Sequence, residues 1–262
     1  MMGIIIPTKK TPKEFFDCIE SIAKHTVGDY RVYVADTGST PEVKGKSIEI
    51  LDRHMAGLYT FIEFDYYNFA KINNAVVSDY IDDDIDVLVF CNNDVTIMTE
   101  GLIDRMVKAI TENPNDIGTC GCRLLYPNGT IQHDGQLIRI PKDLKGMITM
   151  SHANLRKFAS EVKKPFPTKV AGNTFALCAT ERSLFEDIGM LSEDYNECFE
   201  DVQYNLECRL RGRTNVLLES DYWAYHHESL SRGQSPTAIA KLRKDYPIIC
   251  NYIKKNYKRL IK

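Results

Sequence analysis

The sequence predicts an α/β fold in which a mostly parallel, Rossmann-like sheet is covered by helices on both faces. Two observations support this prediction. Short apolar segments alternate with amphipathic segments through the first half of the chain, and several of the apolar segments end in Asp or Asn. Alternating β-α units usually place their strands in parallel. Ligands of such sheets bind beyond the carboxyl ends of the strands, so the polar residues there are the first candidates for function.

The first half of the chain contains predicted strands at residues 3–6, 31–35, 59–64 and 87–91. The first helix is predicted to begin at Thr11, with Pro12 in its first turn and Glu14 bonding back to the N-cap. A later helix is predicted over residues 100–113, and the helix after the third strand carries Ile72, Ala75, Val76 and Tyr80. Each helix places apolar residues on one side, as a helix that packs on a sheet requires.

The second half is less regular. Strands are predicted at residues 117–125, 170–179 and 215–218, with a turn at 126–129 before another strand and an extended segment at 221–227. Residues 141–168 are polar and contain three prolines, which predicts a long loop or lid. One helix is predicted to end near Gly189 and another to run from about Asp201 to Gly212. We expect one domain over residues 1–233, followed by a basic helical tail over 234–262.

The composition argues against two classes of protein. With 33 basic and 36 acidic residues the net charge is −3, which gives no reason to expect a nucleic-acid partner. The apolar run at residues 3–6 is far too short for a membrane span or a signal peptide. The eight cysteines lie mostly in apolar segments and include no C-x-x-C pair, so we expect reduced core thiols in a cytoplasmic protein.

The tail contains many lysines and arginines but only one acidic residue, Asp245. The favoured interpretation is a solvated helix face. The alternative is a contact with anionic lipid at the inner face of a membrane. Pro247 interrupts the helical periodicity, which weakens the case for an amphipathic helix.

The first candidate site is Asn92-Asn93-Asp94, which directly follows the fourth predicted strand. Mg²⁺ and Mn²⁺ prefer oxygen ligands and often take only one or two protein carboxylates together with phosphates. Asp94 alone therefore suffices as a protein carboxylate, and Asn92 is placed to hydrogen-bond a ribose. The alternative is a simple turn, because Asn and Asp are common turn residues.

Three further pairs of residues each have a functional and a structural interpretation. Glu200-Asp201 precedes a helix. The functional interpretation is a general base that removes a proton from an acceptor hydroxyl, and the structural one is a pair of acids favoured at a helix N-terminus. His226-His227 follows an aromatic segment. The functional interpretation is a metal ligand, and the structural one is a histidine whose hydrogen bonds are made within the fold. Gly172-Asn173 interrupts a predicted strand. The functional interpretation is that a sugar approaches the backbone closely there, and the structural one is a β-bulge. Phosphate-loop, dinucleotide-binding and nucleophile-elbow motifs are absent from the sequence.

Taken in chain order, these segments resemble a known family. The series consists of residues 4–8, 34–40, 68–74, 90–94, 124–133, 199–202 and 225–233. It resembles family 2 glycosyltransferases of the GT-A fold, especially the rhamnosyltransferase-like branch that builds bacterial-type surface polysaccharides. The resemblance covers about residues 3–233, favours the functional interpretations above, and implies a smaller antiparallel sheet on the acceptor side.

The resemblance implies a role for each candidate residue on the donor side. The pocket for the nucleotide base would be formed by Pro7, Thr8 and Asp36. Further nucleotide contacts would come from Lys71, Asn74, Asn92 and Asn93. The sugar would be lined by Gly172 and Asn173. The sequence departs from the family pattern at Asn92, which replaces the first Asp of the usual Asp-x-Asp motif, and at Ala35, where a second Asp is frequent; base selectivity is left open.

The resemblance also implies a mechanism. Asp94 and His226 would bind Mn²⁺ or Mg²⁺, with His227 as the less favoured ligand, and Asp201 would be the catalytic base with Glu200 beside it. Family members invert the anomeric centre. We therefore expect transfer of a sugar from a UDP-sugar, or a dTDP- or GDP-sugar, to a hydroxyl of a glycan, lipid-linked or protein-linked acceptor. The alternatives are a non-catalytic nucleotide-sugar-binding protein and a sugar-1-phosphate nucleotidyltransferase.

Overall fold

The computed structural model describes residues 1–9, 12–142, 144–227 and 236–260. The predicted N-cap Thr11, residues 228–233 of the last resembling segment and the predicted domain boundary at residue 233 lie outside these ranges. The strands of the described chain are β1 (Met2–Thr8), β2 (Tyr30–Asp36), β3 (Tyr59–Glu63), β4 (Val87–Cys91), β5 (Val95–Ile97), β6 (Ile117–Gly121), β7 (Arg123–Leu125), β8 (Ile131–His133), β9 (Gln136–Arg139), β10 (Thr149–His152), β11 (Thr168–Val170), β12 (Leu177–Glu181), β13 (Thr214–Leu217) and β14 (Trp223–His226).

The helices cover the sheets and connect their strands. They are α1 (Pro12–His25), α2 (Pro41–Met55), α3 (Phe69–Asp79), α4 (Leu102–Glu112), α5 (Arg182–Ile188), α6 (Glu200–Leu210) and α7 (Pro236–Leu260), with one short 3₁₀ turn at Ala159–Glu161. Within the described ranges no helix is both long enough and apolar enough to cross a bilayer.

The larger sheet has the strand order β11-β13-β6-β12-β4-β1-β2-β3. Strands β3, β2, β1 and β4 run parallel, and β12 lies antiparallel between β4 and β6. The smaller sheet has the order β5-β14-β7-β8, in which β14 is antiparallel to β5 but parallel to β7. The predicted α/β class, with a mostly parallel main sheet and a smaller second sheet, is confirmed; the smaller sheet is mixed because of its one parallel pair.

Both faces of the main sheet are buried, which explains why its strands are almost continuously apolar. In β4, Val87 and Val89 pack on the side of α1, α2 and α4, whereas Leu88 and Phe90 pack on the side of α3, α5 and α6. Successive side chains of a strand point to opposite faces, so one strand serves both layers. Burial on both faces holds the strands in place, and therefore also fixes the positions of the strand ends, where the polar candidate residues lie.

The structure corrects the predicted elements in several places. The chain leaves the main sheet after β6 and enters the smaller sheet as β7, so residues 117–125 are two strands in different sheets. Residues 170–179 are likewise not one strand, because β11 ends at Val170 and β12 begins only at Leu177. The predicted loop at 141–168 contains β10, which pairs with β9. Helix α2 was not singled out in the sequence.

Helix α7 is packed against the rest of the fold and continues through Pro247. Its apolar residues Ile249, Ile253 and Leu260 are buried together with Val202 and Leu206 of α6. Its described basic side chains are exposed: Arg243, Lys244, Lys254, Lys255, Lys258 and Arg259. The tail was predicted as a basic helix that follows the main domain; in the described residues one face of α7 completes an apolar cluster with α6.

Candidate active site

Asp94 and His226 meet where the two sheets adjoin, just beyond the carboxyl end of β4. His226 is the last residue of β14 and pairs with Val95, which follows Asp94 in the chain. This register puts His226 Nε2 3.2 Å from Asp94 Oδ1. Both residues are buried, at 7% and 8% exposure. Strand pairing thus joins two side chains that are far apart in the sequence.

The surroundings of Asp94 keep its carboxyl ionised. Burial raises the pKa of Asp94, but its hydrogen bond and electrostatic interaction with His226, together with a backbone hydrogen bond and the nearby His227, outweigh burial and hold the pKa below its ordinary value. Asn92 Nδ2 adds a polar contact 3.4 Å from His226 Nε2. His227 is only half-buried and its backbone N–H donates to the Asp94 carbonyl at 3.0 Å, so the geometry favours His226 as the partner of the carboxylate.

This pair suits a divalent cation that also binds a ligand. A carboxylate oxygen is a ligand that Mg²⁺ and Mn²⁺ prefer, and an imidazole nitrogen is a common additional ligand. Among the described residues no group of three or more His, Cys, Asp and Glu side chains is arranged to hold a metal ion. Two protein ligands fit a cation whose remaining positions are filled by phosphate oxygens and water.

The ends of β1 and β2 bring a second group of candidates together. Thr8 and Asp36 are directly paired in the parallel register, and both are buried. Asn93 reaches across from the end of β4, where its Nδ2 donates to Thr8 Oγ1 at 3.0 Å. Asp36 Oδ2 accepts from the backbone N–H groups of Gly38 and Ser39 at 3.2 and 3.0 Å. Pro7, Thr8, Asp36 and Asn93 therefore lie together on one edge of the sheet; their role in a nucleotide pocket stays a prediction.

Lys71 and Asn74 lie on α3 but in different environments. Lys71 is exposed near the helix start, where its backbone N–H is capped by Asn68. Asn74 is buried, and its amide exchanges hydrogen bonds with the backbone of Leu191 at 2.9 and 3.0 Å. The structure thus uses the Asn74 side chain to fasten α3 to the segment after α5, an arrangement that does not support a direct contact with a nucleotide.

Gly172 and Asn173 are both used in packing. Asn173 is fully buried, and its Nδ2 donates to Thr119 Oγ1 and to the Val216 carbonyl, both at 3.0 Å. A Cβ on Gly172 would lie 2.3 Å from Gln136 Oε1 and 2.6 Å from Asn205 Cγ, so only glycine fits there. The predicted contact of the Asn173 side chain with a sugar is not supported, because its amide points into the core. Gly172 instead permits the close approach of Gln136.

Asp201 lies in the first turn of α6 and is held by two hydrogen bonds. Its Oδ1 accepts from the backbone N–H of Val202 at 2.7 Å, and its Oδ2 accepts from Gln136 Nε2 at 3.1 Å. Asp201 is partly exposed, whereas Glu200 beside it is buried at 7% exposure. A carboxylate that is oriented and still reaches the surface is suited to accept a proton from a bound hydroxyl.

The loop that leads into α6 is held by α7. Asp245 is fully buried, and its carboxylate accepts backbone N–H bonds from Asn196, Glu197 and Cys198 at 2.7 to 3.3 Å. Phe199, at the end of this loop, adopts a left-handed conformation with φ of 84°. A bulky residue persists in that region only where its surroundings fix it. The bonds to Asp245 fix the backbone immediately before Glu200 and Asp201.

Three residues of this region were not identified from the sequence: Gln132, Gln136 and Asp245. Gln132 lies within segment 124–133 of the family resemblance, but the resemblance implied no function for it. Gln136 follows that segment without a signal of its own. Asp245 stands in a basic run that was interpreted as a solvated face, so its burial was not expected.

Comparison with known proteins shows the family to which the chain belongs. Residues 3–189 match the model of glycosyl transferase family 2. The chain is 30% identical to an uncharacterized protein of Sinorhizobium fredii over 98% of this chain and 28% of that protein. It is 26% identical to the O-antigen biosynthesis protein RfbC of Myxococcus xanthus over 88% of this chain and 18% of that protein. The chain therefore spans less than a third of the length of these relatives.

Two solved structures are similar in fold. A mannosyltransferase of Pyrobaculum calidifontis in complex with GDP-Man and Mn²⁺ has a TM-score of 0.62 at 16% identity, over 88% of this chain and 58% of that one. GalNAc-T7 with UDP, GalNAc and Mn²⁺ has a TM-score of 0.68 at 13% identity, over 94% of this chain and 48% of that one. The family match covers well over half of the chain, and the chain therefore belongs to glycosyl transferase family 2 and has the GT-A fold.

Proposed function

We propose that this glycosyltransferase inverts the anomeric centre as it transfers a sugar from a nucleotide-diphosphate donor to a hydroxyl of a glycan, lipid-linked or protein-linked acceptor. UDP-sugars are the favoured donors, with dTDP- and GDP-sugars as alternatives. The observation that carries the proposal is the pair of Asp94 Oδ1 and His226 Nε2, 3.2 Å apart beyond the carboxyl end of β4. Ligands of parallel sheets bind at this edge.

Each residue has a distinct task in the proposed reaction. Asp94 and His226 would hold Mn²⁺ or Mg²⁺, which when bound neutralises charge that develops on the leaving diphosphate. Thr8, Asp36 and Asn93 would receive the nucleoside. Asp201 would take the proton from the acceptor hydroxyl as that oxygen attacks the sugar from the face opposite the diphosphate. Gln136 and the Val202 N–H keep the carboxylate of Asp201 oriented.

The similar proteins agree with this proposal. Both solved structures described above contain Mn²⁺ together with a nucleotide or nucleotide sugar. The similarity to an O-antigen biosynthesis protein favours a surface polysaccharide as the acceptor class. A rhamnosyltransferase-like specificity, a cytoplasmic location and a membrane contact of α7 stay predictions. Family membership supports sugar transfer over the two alternatives, a nucleotidyltransferase and a non-catalytic binding protein.

The test is a thermal-shift screen of UDP, GDP and dTDP with Mn²⁺, with Mg²⁺ and with EDTA. The Asp94 and His226 pair supplies little charge on its own, so we expect stabilisation by a diphosphate only when a metal ion is present. A ligand at 100 times its Kd adds roughly 2.7 kcal/mol to the free energy of unfolding. Equal stabilisation in EDTA would remove the metal from the mechanism. Sugar nucleotides that stabilise the protein are then tested for release of free nucleoside diphosphate.

A further inference from the structure

One short segment touches both ends of the candidate site. Residues 132–136, which we call the bridging segment, run from β8 into β9. At its start, Gln132 Oε1 lies 3.0 Å from His226 Nδ1, on the side of the imidazole ring away from Asp94. At its end, Gln136 Nε2 donates to Asp201 Oδ2 at 3.1 Å. Both glutamines are buried, at 7% and 5% exposure.

The middle of the bridging segment is fixed by buried charge. Asp134 is 1% exposed and its carboxylate accepts from Arg123 Nε at 3.1 Å and from Asn154 Nδ2 at 2.7 Å. Lys164 Nζ lies 2.9 Å from the same carboxylate. A buried ionic cluster is costly to break, because separating its members leaves a buried charge without its partner. The backbone between the two glutamines therefore has a defined position.

The Gln136 end is also fixed by its neighbour. The backbone N–H of Gln136 donates to the Gly172 carbonyl at 2.8 Å, and the absence of a side chain on Gly172 leaves room for Gln136 Oε1. The backbone of Gln136 is thus fixed at Gly172, and its side-chain Nε2 donates to the carboxylate of Asp201. This accounts for the glycine at position 172 without a sugar contact.

We propose that the bridging segment sets both halves of the reaction: Gln132 is a positioning residue for the metal ligand His226, and Gln136 is a positioning residue for the base Asp201. The inference rests on the proposed function of these two residues. Gln132 accepts the Nδ1 proton of His226, which leaves the lone pair of Nε2 for the cation, as partners of metal-bound histidines do. Gln136 restrains the carboxylate of Asp201 so that it faces the acceptor hydroxyl.

Substitutions of the two glutamines should therefore affect different quantities: one should weaken the affinity for UDP, and the other should lower the maximal rate. Gln132→Leu should weaken binding of UDP in the presence of Mn²⁺ by about 10–100-fold, the usual effect of losing such a partner. Its effect on the rate at saturating UDP-sugar and Mn²⁺ should be smaller. Gln136→Leu should leave the Kd for UDP and Mn²⁺ nearly unchanged and lower the maximal rate of UDP release by about 10–100-fold, because the base is misplaced.

The same conservative substitution distinguishes the two positions. Gln132→Glu still offers an acceptor oxygen to Nδ1 and should keep the affinity for UDP and Mn²⁺ within a few-fold of wild type. Gln136→Glu loses the donor and places a second carboxylate against Asp201, so it should not restore the rate. Leu137→Ala is the matched control, because this neighbour of Gln136 on β9 is 39% exposed and pairs with Ser151 of β10.

Crystal structures of the two leucine variants give a readout that needs no acceptor. Gln132→Leu should displace the His226 ring and leave Asp201 in place, and Gln136→Leu should do the reverse. If both variants change affinity and rate by the same factor, or if neither moves its partner side chain, the segment is only structural and the inference is overturned. Wild-type protein that binds UDP equally in Mn²⁺ and EDTA would instead contradict the proposed function, and that result is obtained without any variant.

Discussion

The donor end and the base end of the site are built in different ways. At the donor end, Thr8 and Asp36 are the last residues of β1 and β2 and Asp94 follows β4, and the pairing of neighbouring parallel strands brings them together. At the base end, the loop before Asp201 is held by Asp245, 48 positions beyond its bonding partner Glu197 in the chain. The first arrangement follows from the sheet itself. The base end depends on hydrogen bonds from a side chain that is distant in the sequence. Substitutions distant in the sequence should therefore affect the position of Asp201 more than the binding of the donor.

The largest expected effect separates the two ends directly. A general base contributes about 10²–10⁴-fold to the rate, mostly without contributing to ground-state binding. Asp201→Asn should therefore lower the rate of transfer by that factor and leave the Kd of the nucleotide nearly unchanged. The fold should be spared, since the amide can still accept the N–H bond from Val202. Measured transfer rate beside nucleotide affinity checks this.

Glu200→Gln is the control for that variant. Glu200 is buried beside the base and should have the milder effect, because we expect it to position the acceptor and not to take its proton. Transfer near the wild-type rate by Asp201→Asn, together with a larger loss in Glu200→Gln, would reassign the base to Glu200.

The second effect concerns the donor end. Asp94→Ala should weaken metal-dependent binding of the nucleotide by more than about 100-fold, since even indirect partners of metal ligands cost about 10–100-fold. His226→Ala should have a smaller effect, because the imidazole contributes no formal charge. Titration of each variant with nucleotide in Mn²⁺ measures both. A larger loss in His227→Ala than in His226→Ala would show that the assignment within this pair is wrong.

A third variant tests the long-range bond to the base loop. Asp245→Asn should reduce the free energy of unfolding by roughly 1–3 kcal/mol, because a buried acceptor of several N–H bonds is partly lost. It should also slow transfer more than it weakens nucleotide binding. Asp187→Asn is the control: its carboxylate is exposed and bonded to Arg211, so a change within about 0.5 kcal/mol is expected. Denaturant unfolding gives the comparison, and equal losses in both variants would contradict it.

The smallest effect is expected on the exposed face of α7. Replacing Lys254, Lys255 and Lys258 with Gln should change the free energy of unfolding by no more than about 0.5 kcal/mol per site and leave nucleotide affinity unchanged. If this face is only solvated, neither protein should bind vesicles that contain phosphatidylserine. Sedimentation of wild-type protein with such vesicles, lost in the triple variant, would favour the lipid contact.

The same contrast explains which parts of the molecule could be predicted from sequence. Strands β1 to β4 were predicted because they are apolar on both faces and end in polar residues. Helix α2 was not singled out, since its buried positions include a serine and are separated by charged residues. The division of residues 117–125 into β6 and β7 could not be predicted, because nearly the whole run is buried. The two strands differ only in the strands with which they pair, which belong to different sheets.

The site follows the same rule. Asn93 and Asp94 were predicted from a motif directly after a strand. Gln136 and Asp245 have no local signature, because their roles depend on which distant group each one reaches. Asn173 illustrates the same point: its polar side chain suggested a ligand contact, but its Nδ2 donates to Thr119 Oγ1 and to the Val216 carbonyl inside the fold.

The most direct test of the account is calorimetric titration of UDP, or of whichever diphosphate gives the largest thermal shift, into wild type, Asp94→Ala and Asp201→Asn. Each titration is performed with Mn²⁺ and with EDTA. The account predicts binding that requires Mn²⁺ in wild type and in Asp201→Asn, with similar Kd values, and Mn²⁺-dependent binding that is weaker by more than about 100-fold in Asp94→Ala. Mn²⁺-dependent binding of near-wild-type affinity in Asp94→Ala, or its loss in Asp201→Asn, would contradict the division of the site into a donor end and a base end.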